Sequence, residues 1–257
     1  MAILAMALTT PAGAVDSNLY LIALAGQSNM VGAGYVGDLP TDFPKNGARI
    51  WNFTNANVWE PAREPIDSNE NQVDKISRDA FTGVGPGLAM ADAFAAKYPQ
   101  VKVGLIPCAK SGSRLVKWQP YPERSSLYGS CLYRQKQAEK QGKLRAVVFW
   151  QGGQDGKSKE LAERWGENFK TMVTAWRSDM GDPNLPFILL VLKPGTKETL
   201  EEFPYRDIVR AQQLAVDLPN LTKIETIGYE YDRDDIHMTT KGQLALGPVI
   251  AAALPPP

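Results

Sequence analysis

Short apolar stretches alternate with helix-patterned stretches along this chain, and that alternation limits it to few folds. The apolar stretches lie at 19–25, 48–53, 101–107, 146–150 and 187–192, with a shorter one at 223–227. Several run without a polar interruption, the pattern of strands buried on both faces of a parallel sheet. Helical periodicity occupies 87–98, 130–141, 159–179, 205–218 and 241–254. Along 159–179, Leu161, Trp165, Phe169, Met172, Val173 and Trp176 fall on one stripe, which reads as a core face and not as a cofactor box. Strands alternating with helices predict a three-layer α/β sandwich around a parallel sheet. Ligands bind such folds beyond the carboxyl ends of the strands. The segments just after the apolar runs are therefore where chemistry is expected.

The chain has 257 residues, 44% hydrophobic and 22% charged, values of a globular protein with an ample core. No repeat or low-complexity linker divides it, and residues 15–257 are expected to form one domain. The Pro- and Asn-rich stretch 61–79 predicts a long loop lining a site at the sheet edge. Lys+Arg and Asp+Glu each number 28. That balance, without a basic run, argues against nucleic acid as a partner and is compatible with a neutral substrate. Residues 1–14 carry no charge and end in Ala12-Gly13-Ala14, the small-x-small pattern of a signal-peptidase site, though the basic leader is missing. They are expected to be the remnant of an export signal, which makes the protein secreted or periplasmic. The competing reading is the N-terminal arm of a cytoplasmic protein. No other segment approaches the ~20 apolar residues that span a bilayer. Cys108 and Cys131 either form one disulfide or serve as small buried side chains. With a single histidine they do not supply a zinc ligand set.

Four segments carry the candidate chemistry. Gly26-Gln27-Ser28-Asn29-Met30 puts a serine on a turn whose glycine permits close backbone approach. Met30 stands where the Gly-x-Ser-x-Gly elbow has its second glycine, so this is not that elbow. Alone, the segment reads equally as a turn or a helix cap. Pro107-Cys108-Ala109-Lys110-Ser111-Gly112-Ser113 is a small-residue turn able to aim a backbone N–H at an oxyanion. Trp150-Gln151-Gly152-Gly153-Gln154-Asp155 offers the Gln151 amide for the same purpose, with Asp155 read as the cap of the next helix. Asp234-Asp235-Ile236-His237-Met238-Thr239 holds the only imidazole. A serine nucleophile needs a base. An aspartate three residues before a histidine can accept its Nδ1–H and leave Nε2 for the serine. Ser28, His237 and Asp234 are therefore the candidate triad, with Asp235 turned away.

Together these segments resemble the SGNH (GDSL-like) hydrolase superfamily. More closely, they resemble the sialate O-acetylesterase-type domain of carbohydrate esterase family 6, which includes acetylxylan esterases. The family's Gly-Gln-Ser-Asn-Met is matched residue for residue at 26–30, and its Asp-x-x-His by Asp234 and His237. Its Pro-Cys-Ala-x-Gly-Gly-Thr is similar to 107–113, with Gly112 on the oxyanion glycine. The third block departs: the family has Gln-Gly-Glu, and here Gly153 replaces the glutamate. The resemblance implies a mainly parallel, flavodoxin-like, five-stranded sheet in a three-layer α/β/α sandwich. It implies a serine esterase that removes O-acetyl groups from glycans through an acyl-enzyme, with no cofactor and no metal. Ser28, Asp234 and His237 would be catalytic, and the Ser28 and Gly112 N–H groups with the Gln151 side chain would form the oxyanion hole. The implied partner is an acetylated carbohydrate, with no membrane contact in the mature form. Gln27, Asn29 and Trp118 are expected to touch substrate. Trp118, Tyr121 and Tyr128 form either a sugar platform or part of the core. Two other readings compete. A non-catalytic glycan-binding domain has the Gly153 departure in its favour. A lipase, thioesterase or peptidase of the same superfamily has the Gln-Ser-Asn-Met wording against it.

Overall fold

The computed structural model describes residues 18–257; the expected export signal at 1–14 lies outside them. The strands are β1 (Leu19–Gly26), β2 (Ile50–Phe53), β3 (Trp59–Pro61), β4 (Val103–Pro107), β5 (Gly142–Trp150), β6 (Phe187–Val191) and β7 (Leu221–Glu225). The α-helices are α1 (Ser28–Val31), α2 (Pro86–Lys97), α3 (Leu127–Ala138), α4 (Lys159–Glu163), α5 (Trp165–Asp179), α6 (Lys197–Glu202), α7 (Arg206–Ala215) and α8 (Thr240–Ala253). All seven strands join one sheet in the order β3-β2-β4-β1-β5-β6-β7. Every neighbouring pair is parallel except β2 with β3.

The expected mainly parallel sheet is present, but it has seven strands where five were expected. β3 adds an antiparallel edge of three residues, too short to show a period in sequence. β7, expected from the shorter stretch at 223–227, lies at 221–225 and buries only Ile224. The five strands β4-β1-β5-β6-β7 run in the expected flavodoxin-like, doubly wound order, and β2 with β3 extends the sheet beyond β4. The helix expected at 159–179 is two helices. Arg164, at φ −93° and ψ 0°, breaks the path between α4 and α5.

Alternation along β1 builds the two cores. Leu19, Leu21, Ala23 and Ala25 face the layer of α3, α5 and α7, where Trp165, Phe169, Met172 and Trp176 sit fully buried. Tyr20, Ile22 and Leu24 face α2 and α8. On that side Gly247 is required by packing, because a Cβ there would lie 2.5 Å from the Ala89 Cβ. The cysteines form a disulfide with a Cα–Cα distance of 5.4 Å, joining the end of β4 to α3. That span is ordinary for the bond. No described helix is long and apolar enough to cross a membrane.

Candidate active site

The central strands bring the sequence blocks to one edge. Cys108 N–H donates to Leu24 O at 2.8 Å and Lys110 N–H to Gly26 O at 2.9 Å, so the second block runs on beside the first. Gln27 N–H donates to Trp150 O at 2.7 Å, which ties the first block to the third. Gly26 is indispensable here: at φ +134° its missing Cβ would lie 2.1 Å from Trp150 O.

Ser28 opens α1 directly after this turn. His237 Nε2 lies 2.9 Å from Ser28 Oγ, and His237 Nδ1 lies 2.5 Å from Asp234 Oδ2. Asp234 Oδ1 accepts from the N–H groups of Ile236 and His237, both at 2.9 Å. Partial burial pushes the Asp234 pKa up, but these N–H groups and the His237 ring outweigh it and hold it below the usual carboxylate value. The aspartate thus stays an anion against the ring. Asp235 turns away at φ +57° and pairs through Oδ1 with Lys193 Nζ at 2.5 Å. The structure therefore brings Ser28, His237 and Asp234 together in the expected order and separates Asp235 from them.

Two expected oxyanion donors stand free. The backbone N–H groups of Ser28 and Gly112 donate to nothing among the described residues. Gly112 sits at φ +65° on the rim of a groove of about 560 Å³ lined also by Ile76, Val116, Tyr121 and Leu127. The turn that carries it is pinned from both sides. Asp79, at the end of the long loop, accepts from Ser111 N–H and Lys110 Nζ, both at 3.0 Å. Ser113 Oγ donates to Gly26 O at 3.3 Å and accepts from Trp118 Nε1 at 3.0 Å.

The third expected donor is not in the site. Gln151 is fully buried, and its amide is spent inside the protein. Nε2 donates to Ser113 O at 2.9 Å and to Asp155 Oδ2, and Oε1 accepts from Trp165 Nε1 at 2.9 Å. Strand alternation explains this. Phe149 faces the α3, α5 and α7 core and Trp150 the opposite one, so the next residue returns to the first side. Asp155 does not cap a helix either. It is buried, accepts from Leu115 N–H at 3.0 Å, and its pKa is pushed up to about 6 because burial outweighs its hydrogen bonds. Ser158 caps α4 instead.

The expected substrate contacts also change. Trp118 and Tyr128 are fully buried; Trp118 stacks on Trp176 and the Tyr128 hydroxyl donates to Asp179 at 2.6 Å. Of the three platform candidates only Tyr121 is exposed. Asn29 is buried and clamps the histidine loop: Nδ2 donates to Ile236 O at 2.9 Å and Oδ1 accepts from Met238 N–H at 2.8 Å. It is a positioning residue that fixes both neighbours of His237. Gln27 Oε1 accepts from Gly152 N–H at 3.1 Å. Among the described residues no group of three His, Cys, Asp or Glu side chains is placed to hold a metal ion.

Comparison with known proteins bears on the family and the fold. A family model described as carbohydrate esterase, sialic acid-specific acetylesterase matches residues 17–255. A probable carbohydrate esterase of Arabidopsis thaliana is 31% identical over 248 residues, covering 91% of this chain and 89% of its own. A solved Arabidopsis thaliana protein superimposes with a TM-score of 0.77 at 28% identity, over 92% of this chain and 97% of that one. NanS superimposes at 0.67 with 17% identity, over 93% and 97% of the two chains. A carbohydrate acetylesterase from Xanthomonas citri does so at 0.61 with 18% identity, over 91% and 55%. The last two speak for the fold, which is that of the SGNH-like carbohydrate esterases. The chain belongs to the carbohydrate esterase, sialic acid-specific acetylesterase family.

Proposed function

We propose that this protein is a serine esterase that removes O-acetyl groups from glycans through an acyl-enzyme. The observation that carries the reading is the chain of contacts Ser28 Oγ, His237 Nε2, His237 Nδ1, Asp234 Oδ2, spaced at 2.9 and 2.5 Å. In it His237 takes the Ser28 proton as the oxygen attacks the acetyl carbonyl. The N–H groups of Ser28 and Gly112 receive the developing oxyanion. The tetrahedral intermediate collapses, the C–O bond to the sugar breaks, and His237 hands its proton to the departing sugar alkoxide. Water then attacks the acetyl-serine with His237 again the base, releasing acetate and regenerating the hydroxyl. Asp234 holds the ring in the tautomer this cycle needs.

The Cys108–Cys131 disulfide supports action in an oxidising compartment, so we place the protein outside the cytoplasm, secreted or periplasmic. The exposed Tyr121 beside Gly112 is the remaining candidate for stacking against a sugar ring. The test is acetate release from a panel of O-acetylated glycans, including acetylxylan and O-acetylated sialosides, with Ser28→Ala as control. Release by the wild type and none by the variant is expected. Equal release by both would remove Ser28 from the mechanism.

A further inference from the structure

The groove beside Gly112 is far larger than the acetyl group assigned to the reaction. Its volume is about 560 Å³, whereas a methyl group is about the size of a water molecule, whose share of the liquid is ~30 Å³. Its walls are apolar. Ile76, Val116 and Tyr121 line it at 38, 44 and 62% exposure, together with the buried Leu127. Large apolar side chains left exposed side by side mark a binding surface. The polar groups between them are largely spent. Lys110 Nζ donates to Asp79 Oδ1 at 3.0 Å and to Arg78 O at 2.9 Å. Ser113 Oγ is held between Gly26 O and Trp118 Nε1, and Ser126 Oγ accepts from Gly129 N–H at 2.8 Å. Lys117 and Ser125 are exposed to solvent.

The groove meets the reacting centre at Gly112, and from one side. An oxyanion held by Gly112 N–H puts the carbonyl carbon about 4 Å from that nitrogen, one hydrogen bond and one C=O bond away. A substituent on that carbon therefore starts at the rim of the groove. The leaving oxygen has to stay within reach of His237 Nε2, which protonates it. The histidine loop packs on the α2 and α8 layer through Met238, whereas the groove belongs to the α3 layer through Leu127. No residue of the loop 228–240 lines the groove. The alcohol thus departs on one face of the sheet and the groove opens on the other, where the acyl substituent lies.

We propose that this groove is an acyl-chain subsite and that the protein also hydrolyses esters of medium-length, straight-chain fatty acids. The proposal rests on the esterase reading and goes beyond its acetyl group. The chemistry is that of the acetyl case. Ser28 Oγ bonds to the acyl carbon as its proton passes to His237, the bond to the alcohol oxygen breaks and that oxygen takes the proton, and water then releases the free acid. Each methylene that leaves water for the groove raises kcat/KM by up to about fourfold. Tyr121 then packs against the chain and not against a sugar ring.

The test lengthens the ester on each side in turn. The acyl series is p-nitrophenyl acetate, butanoate and hexanoate; the alcohol series is phenyl acetate and p-butylphenyl acetate. Wild type should favour the hexanoate over the acetate by about tenfold or more in kcat/KM, carried by KM. Val116→Asp and Ile76→Asp each set a charge in the groove at an exposed position and should abolish that preference. Val249→Asp, at an exposed site on α8, should keep it. The proposal is overturned if the acyl series shows no preference, or if the preference survives both groove variants. It is also overturned if lengthening the alcohol gives the preference that the groove variants abolish, since the groove then holds the leaving group. Should wild type hydrolyse none of these esters, the esterase reading fails. The groove is then read by calorimetry on Ser28→Ala with and without Val116→Asp. Tighter binding of p-nitrophenyl hexanoate than of p-butylphenyl acetate that Val116→Asp abolishes supports the subsite, and equal binding overturns it.

Discussion

Gln151→Met should damage the stability of this protein far more than its chemistry. The side chain is fully buried and makes three hydrogen bonds, to Ser113 O, Asp155 Oδ2 and Trp165 Nε1. Methionine fills the volume and makes none of them. Asp155 keeps Leu115 N–H as a donor, so the heavier loss falls on Ser113 O and Trp165 Nε1. A buried polar group left unmatched costs about 1–3 kcal/mol, so the two together cost on the order of 2–6 kcal/mol. That is a large part of the ~5–15 kcal/mol that holds a domain folded. The assay is urea unfolding followed by tryptophan fluorescence, paired with kcat measured on protein that is still folded. An oxyanion donor behaves the opposite way: its loss lowers kcat by about 10²–10³ with the fold intact. A Gln151→Met protein within ~0.5 kcal/mol of wild type in stability but a hundredfold slower would refute the buried-strut reading.

Other perturbations separate the roles of neighbouring groups. Asp234→Asn should lower kcat by roughly 10³–10⁴ by removing the anion that fixes the histidine tautomer, whereas Asp235→Asn should cost less than about tenfold; the reverse order in steady-state kinetics would exchange their roles. Removing the disulfide by Cys108→Ala with Cys131→Ala should cost about 3 kcal/mol in unfolding free energy, since it closes a loop of 23 residues. Glu64 is half-buried with its Oε1 sealed from solvent, and its pKa is raised from 4.5 to about 8, burial outweighing the N–H groups of Ile66 and Gly85. Between those values the native state binds more protons than the unfolded chain. The stability from this site is therefore full below 4.5 and lost as pH rises through about 8. Glu64→Gln removes that titration, so its Tm should fall less than the wild-type Tm between pH 5 and pH 9; parallel curves would contradict the assignment.

The fold was legible wherever burial leaves a mark on sequence. Strands buried on both faces, such as 19–25 and 187–192, are uninterrupted apolar runs, and the parallel sheet follows from them. β3 and β7 were not legible in full, because edge strands alternate with solvent and obey no apolar rule. Ser28, His237 and Asp234 could be read because nucleophilic chemistry admits few residue types and the chain has one histidine. Gln151 and Asn29 were assigned by residue type, while their roles depend on where the side chains point. For Gln151 the clue was present in the alternation of Phe149 and Trp150. For Asn29 nothing local announces that residues 236–238 fold back onto it. Arg206 is a surface-type residue by composition, and only tertiary packing reveals that it is buried beside Gly153.

The central claim is that Ser28 carries the acyl group, and trapping that group tests it most directly. Wild-type protein mixed with p-nitrophenyl acetate and quenched in acid should show the mass of one added acetyl on the peptide that contains Ser28. Ser28→Ala should show none and should not turn over. Turnover without that label, or turnover that survives in Ser28→Ala, would contradict the account.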